Sequence, residues 1–246
     1  MSYIIDFSSR LVELNYLLRL RATPSGIVDL AGNSITNHNV DYTSTSTTLG
    51  DGTALKFNGT NAWLDIKSLN GVKLTGDFTI SWQVISQTQP TDSRIVTYFD
   101  ARMNWNGTAG SQATQPTIGF IITNNTNTGS RNYFIGFDID NSTGKNTSSN
   151  ITTYPPSSCH FAIVRHNNSI KVFLNGNLIP GYENINYGAT LTLNDISIGY
   201  NGNTRLTNKY SNFTLDDICV IKGRALWTSS FKPPTKYLPD KWLVYD

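Results

Sequence analysis

Charge is scarce in this chain. Asp, Glu, Lys and Arg together make up 15% of 246 residues, against roughly 25% in ordinary soluble domains. The formal net charge is +2, which gives no clustered basic face for nucleic acid. Arg10, Arg19 and Arg21 fall near one another and read as solvated side chains. Cysteine occurs only as Cys159 and Cys219. Two are too few for a disulfide framework, and no C-x-x-C spacing offers a zinc or redox site. They are open to one bridge or to two buried thiols, and their apolar strand context favours thiols. No stretch approaches the ~18 apolar residues that span a bilayer, so no membrane insertion is expected. Residues 1–20 carry Asp6, Arg10, Glu13 and Arg19 and lack the continuous apolar segment of a Sec signal.

Asn, Thr, Ser and Gly fill the gap left by charge. Asn and Gly suit turns, and Thr and the aromatics suit strands. Hydrophobic residues at 38% and aromatics at 11% are too abundant for a disordered chain. Triplets of the N-x-S/T type at Asn58, Asn106, Asn146 and Asn212 follow from the Asn/Thr richness.

Period-two alternation then predicts strands with one buried face. Leu55 and Phe57 lead into the turn Asn58-Gly59, and Leu64 and Ile66 follow it. Phe78, Ile80, Trp82 and Val84 alternate with Thr79, Ser81 and Gln83. Ile118, Phe120 and Ile122 form another run, as do Tyr133, Ile135, Phe137 and Ile139. Phe161 to Arg165 and Ile170 to Leu174 flank Asn167-Asn168, a hairpin signal, and Asn175-Gly176 starts the next turn. Leu191 to Ile198 and Leu215 to Ile221 close the series. Leu14 to Leu20 reads as a first strand or as a helix continuing from Arg10, since Leu11, Leu14, Leu17 and Leu18 keep helical spacing. Gln87 to Gln115 and Asn141 to Pro156 read as long loops. The pattern predicts an all-β, two-sheet antiparallel sandwich, with residues 1–13 as an N-terminal arm and 14–246 as one domain.

The order of segments resembles a known family. The run from Ala54 to Ile66 (ALKFNGTNAWLDI) is similar to the strand, F-x-G, strand opening of laminin-G-like and pentraxin-like jelly rolls. Leu17 to Leu20 with Asp29 to Asn33, Asp77 to Val84, His160 to Ile179, Ile196 to Asn203 and Phe213 to Pro234 resemble further segments in the same order. The stretch Ala225 to Thr235 (ALWTSSFKPPT) is similar to the tail of laminin-G-like domains carried by bacteriophage virion proteins. The resemblance implies a concanavalin A-like, laminin-G-like jelly roll. It implies a virion structural protein of capsid, tail or fibre, assembled in a host cytoplasm. Its partners would be other virion proteins or copies of itself, met through the N-terminal arm, and cell-surface glycans. A free, extracellular carbohydrate-binding or adhesion module is the alternative, and a glycoside hydrolase of the same fold the third reading.

The carboxylates argue against catalysis. Retaining hydrolysis needs two carboxyl groups about 5–5.5 Å apart, and glucanases of this fold carry both as glutamates on one strand. This chain has only Glu13 and Glu183. Asp138 and Asp140 would share a strand face and read as a strand end, while Asp216 and Asp217 would point to opposite faces of a strand. His38, His160 and His166 sit in no nucleophile motif, and His160 and His166 read as strand-end residues. No catalytic residue, cofactor or metal is expected; a calcium site would need more oxygen ligands than the Asp138 to Gly144 loop or the Tyr200 to Asn203 segment supplies. The candidate carbohydrate-binding residues are Trp105 with Asn104 and Asn106, and Tyr200 with Asn201 and Asn203. An aromatic ring can stack on a sugar's apolar face while amides bond its hydroxyls.

Overall fold

The structure, a computed structural model, describes residues 9–45, 49, 52–89, 95–103, 118–125, 132–140, 145–151, 154–193, 195–200 and 210–245. For some of these, including 123–125, 132–140 and 145–151, only the backbone is described. They form two large antiparallel sheets and two short ribbons, the jelly-roll sandwich expected.

The ten-stranded sheet runs Asn177–Leu178, Ser169–Leu174, Cys159–His166, Phe78–Gln87, Asn212–Lys222, Asn15–Thr23, Gly26–Asp29. Thr53–Asn58 also pairs with the first half of Asn212–Lys222, Asp41–Thr45 pairs with Thr53–Asn58, and Ile185–Asn186 pairs with Ser169–Leu174. The seven-stranded sheet runs Lys145–Ile151, Asn132–Asp140, Gly119–Asn125, Ile95–Met103, Asp195–Ile198, Trp63–Ile66, Thr36–His38. One ribbon pairs Lys73–Leu74 with Leu191–Thr192, and the other pairs Ser9–Glu13 with Lys241–Tyr245. The described part of the expected arm, Ser9–Glu13, is thus a strand against Lys241–Tyr245.

Between the sheets lies the main core. Trp82 is at its centre, with Phe120, Phe161 and Tyr98 at ring-centroid distances of 5.1, 5.4 and 5.7 Å. Phe78, Ile80, Trp82 and Val84 all face it, as their alternation required. Their neighbours Thr79, Ser81 and Gln83 were expected to face water but are buried too. The reason is a third layer. Residues 223–240 fold back over the outer face of the ten-stranded sheet and set Leu226, Trp227 and Leu238 against Leu14, Ala162, Val164, Phe173, Cys219 and Ile221. Thr79 Oγ1 donates to the Arg224 carbonyl and accepts from Leu226 N–H, so its buried hydroxyl is satisfied.

Local chemistry fixes the connections. Asn167 and Asn168 have φ of 49° and 64°, the left-handed pair a two-residue hairpin turn demands. Asn175 and Gly176 repeat this at 50° and 75°. Gly176 is required on a second count: a Cβ there would lie 1.8 Å from the Phe231 carbonyl oxygen. Cys159 and Cys219 are free and buried, and burial pushes the Cys159 thiol up to about 12.

Of the two readings of Leu14 to Leu20 the strand holds: Asn15–Thr23 pairs with Asn212–Lys222, with a bulge between Tyr16 and Leu18 that interrupts the period-two alternation. Two local expectations are corrected. Ile95–Met103 is a strand inside a supposed loop, hidden because its pairing shifts between Thr97 and Phe99. Lys145–Ile151 is an edge strand of polar residues ending in Ile151, held by its pairing to Asn132–Asp140 and carrying no alternating hydrophobic signal.

Candidate functional site

The site begins with Trp63–Ile66. Leu64 and Ile66 are fully buried in the core, so Trp63 and Asp65 project from the opposite, outer face of the seven-stranded sheet. Across the ladder, His38 pairs with Trp63, and Thr36 and Ser197 flank Asp65. Asn37 holds the end of the His38 strand by accepting from Val40 N–H at 2.8 Å and donating to the Val40 carbonyl at 3.0 Å. On the other side the chain leaves Ile198 through Gly199, φ 84°. A Cβ on Gly199 would lie 2.3 Å from the Phe57 ring, so only glycine lets the chain turn this close to the core. The turn delivers Tyr200, which forms a β-bridge with Tyr210.

Four rings meet here. His38 stacks on Trp63 with centroids 3.9 Å apart and planes 8° from parallel. Tyr200 and Tyr210 lie 5.4 and 5.6 Å from Trp63 and 5.0 Å from each other. All four are partly exposed. Beneath them Asp65 Oδ2 accepts from Trp63 Nε1–H at 3.2 Å and lies 3.2 Å from His38 Nε2. Burial, with Tyr210 and Asp65 close by, raises the Tyr200 phenol above its ordinary value, so it stays a neutral hydroxyl. Ser197 Oγ donates to the Tyr200 carbonyl. The result is a half-exposed aromatic patch with a fixed carboxylate, a combination that can stack on apolar faces and accept hydrogen bonds from hydroxyls.

Of the residues singled out in the sequence, Tyr200 belongs to this cluster. Trp105, Asn104, Asn106, Asn201 and Asn203 lie outside the described residues. Trp63, His38, Asp65 and Tyr210 were missed. Their signal was available: once Leu64 and Ile66 are assigned inward, a Trp-x-Asp pair must face out.

The remaining candidates lie elsewhere. The backbone pairing slips between Asp138 and Asp140, and their side chains lie outside what is described. Asp216 and Asp217 do not point to opposite faces. Asp217 has φ 45° within a bulge between Asp216 and Cys219, and both carboxylates turn toward the covering segment. Asp216 accepts from Tyr237 O–H and Asp217 from Leu238 N–H, each at 3.2 Å. His166 sits at a strand end, 2.9 Å from Asp77. His160 is no strand-end residue in the exposed sense: it is 4% exposed, edge-on to Trp227 and Phe231. Among the described residues no three His, Cys, Asp or Glu side chains gather to hold a metal ion.

Comparison with known proteins places this fold. No family model and no curated protein matches the sequence. Solved structures do. The sandwich is shared with binding domains. The botulinum neurotoxin serotype D ligand-binding domain, solved in complex with N-acetylneuraminic acid, superposes with a TM-score of 0.60 at 14% identity, over 87% of this chain and 48% of that one. The receptor-binding domain of botulinum neurotoxin D gives 0.60 at 14% identity, over 87% and 50%. Domain 4 of AbnA, a GH43 extracellular arabinanase from Geobacillus stearothermophilus, solved with arabinotriose, gives 0.55 at 15% identity, over 87% and 95%. The chain spans about half the length of the neurotoxin domains and nearly all of the arabinanase domain. At these identities the likeness is one of fold.

Proposed function

We propose that this chain is a non-enzymatic, lectin-like module that binds glycans through the outer face of its seven-stranded sheet. The observation that carries the reading is the cluster itself. Trp63, Tyr200 and Tyr210 are partly exposed rings next to an oriented carboxylate, where a folding role alone would bury them. The sugar complexes of two fold neighbours support it. Asp65 is the carboxylate in contact with the rings, and Asp100 lies on the same sheet face one strand beyond Ser197. Asp195, at the start of the neighbouring strand, accepts from Asn70 Nδ2 at 2.9 Å. Display on a bacteriophage particle is supported by the resemblance of Ala225 to Thr235 alone. In that setting the ribbon at Ser9–Glu13 would meet neighbouring virion proteins or copies of the chain, and the glycans would be those of a host surface.

The test is a glycan array followed by calorimetric titration. Stacking of an aromatic ring contributes on the order of 1 kcal/mol, so Tyr200→Ala should weaken binding about tenfold, and Trp63→Phe, which keeps a smaller ring, by a lesser factor, while the melting transition stays cooperative. Binding that neither change alters, or no binding by the intact chain, overturns the proposal.

A further inference from the structure

We infer that Asp65 sets the ligand class of this site: neutral sugars that present hydroxyl donors, with sugars bearing a carboxylate excluded. The inference rests on the glycan-binding reading above and adds what kind of glycan.

Its basis is how the two oxygens of Asp65 are used. Oδ2 takes both protein contacts, the Trp63 indole N–H and His38 Nε2, each at 3.2 Å. Oδ1 has no hydrogen-bond partner among the described residues, although the side chain is 16% exposed. The carboxylate is therefore held in one orientation by the aromatic ring it supports, and its second oxygen is left open at the edge of the ring patch. An ionised carboxylate only accepts hydrogen bonds. What it can recognise is a donor, and a sugar stacked on these rings supplies donors as hydroxyl hydrogens around its rim. Bonds to a charged acceptor are shorter and stronger than neutral ones, which makes Oδ1 a point of selection.

The same charge works against an acidic ligand. Bringing a second carboxylate to this oxygen sets like charges together, and unfavourable pairing against the wrong ligand is a source of specificity equal to favourable pairing with the right one. Among the described residues the only basic side chain within ion-pair distance of Asp65 is His38, and its Nε2 is already directed at Oδ2. Tyr200 stays a neutral phenol, held so by burial and by Asp65 itself; it adds a donor and no charge. Among the described residues the patch thus sets no cation against a sialic acid carboxylate, although a fold neighbour was solved with N-acetylneuraminic acid.

The experiment uses the full chain on an array of glycans arranged in pairs that differ only by a terminal sialic acid, with lactose and 3′-sialyllactose as one pair and arabinotriose added, followed by titration of the strongest pair. The intact chain should favour the neutral member at least tenfold. Asp65→Asn keeps the size and one acceptor oxygen; it should weaken the neutral member about tenfold and bring the pair within about threefold. Asp65→Glu restores the charge on a longer arm; it should recover discrimination against the sialylated member with reduced affinity, which a purely structural role for Asp65 would not yield. Preference of the intact chain for the sialylated member, lost in Tyr200→Ala, would overturn this inference and leave glycan binding standing. An unchanged neutral-to-sialylated ratio in folded Asp65→Asn would do the same. No binding to any array member would overturn both.

Discussion

His160 shows how one residue carries a condition for stability. Its ring lies under the covering segment, edge-on to the stacked pair Trp227 and Phe231, and Gln83, Asp217, Leu49 and Pro234 line the narrow space around it. Nδ1 has no hydrogen-bond partner among the described residues. Burial disfavours the charged ring and lowers its pKa from 6.5 to about 4. Between those two values the unfolded chain binds a proton that the folded chain does not, so stability rises with pH across that window and falls as pH drops toward 4. The contribution at stake is on the order of 3 kcal/mol. Melting temperatures measured from pH 4 to 7 should therefore show a steeper slope for the intact chain than for His160→Phe. Parallel slopes would mean that His160 does not titrate as a buried base.

At the scale of elements, the segment 223–240 behaves as a third layer fastened at intervals. Phe231 N–H donates to the Gly176 carbonyl at 2.9 Å and Lys171 Nζ to the Thr228 carbonyl at 2.6 Å. Arg19 bonds the Asp240 carboxylate and the Leu238 carbonyl, and Arg21 lies over the Tyr237 ring at 3.6 Å. Gly176→Ala strikes this layer twice, by forcing a side chain onto φ 75° and by driving Cβ into the Phe231 carbonyl. Overpacking and left-handed backbone together should cost about 3 kcal/mol, seen as a fall in melting temperature on the order of 6–12 °C. The sequence made the hairpin turns legible, because Asn-Asn and Asn-Gly are residue types that tolerate positive φ. It concealed this layer, because Leu226, Trp227 and Leu238 follow no period. It also concealed the double burial of Phe78–Gln87, because Thr79 is a polar residue satisfied by Arg224 and Leu226, far along the chain. Likewise Arg19 and Arg21, read as solvated, are drawn down by Asp240 and Tyr237. Tyr200 could be picked out as an aromatic beside asparagines after a strand. Trp63 was passed over because its own strand was read for its inward leucine and isoleucine and not for its outward face.

For the whole molecule, the decisive element is Asn212–Lys222. It lies between Phe78–Gln87 on one side and both Thr53–Asn58 and Asn15–Thr23 on the other. Every one of those partners is made long before it. Synthesis at about 5–20 residues per second leaves an interval of roughly 6–25 seconds between the emergence of Gln87 and that of Asn212. Throughout it the first strands have no middle strand to join them, and Leu18, Leu20, Leu55 and Phe57 have no sheet to complete their core. A chain ended at Ser211 should accordingly be digested by trypsin at the rate of an unfolded polypeptide, where the full chain resists. Until Asn212–Lys222 has emerged, the nascent protein therefore has to be kept from its neighbours on the polysome.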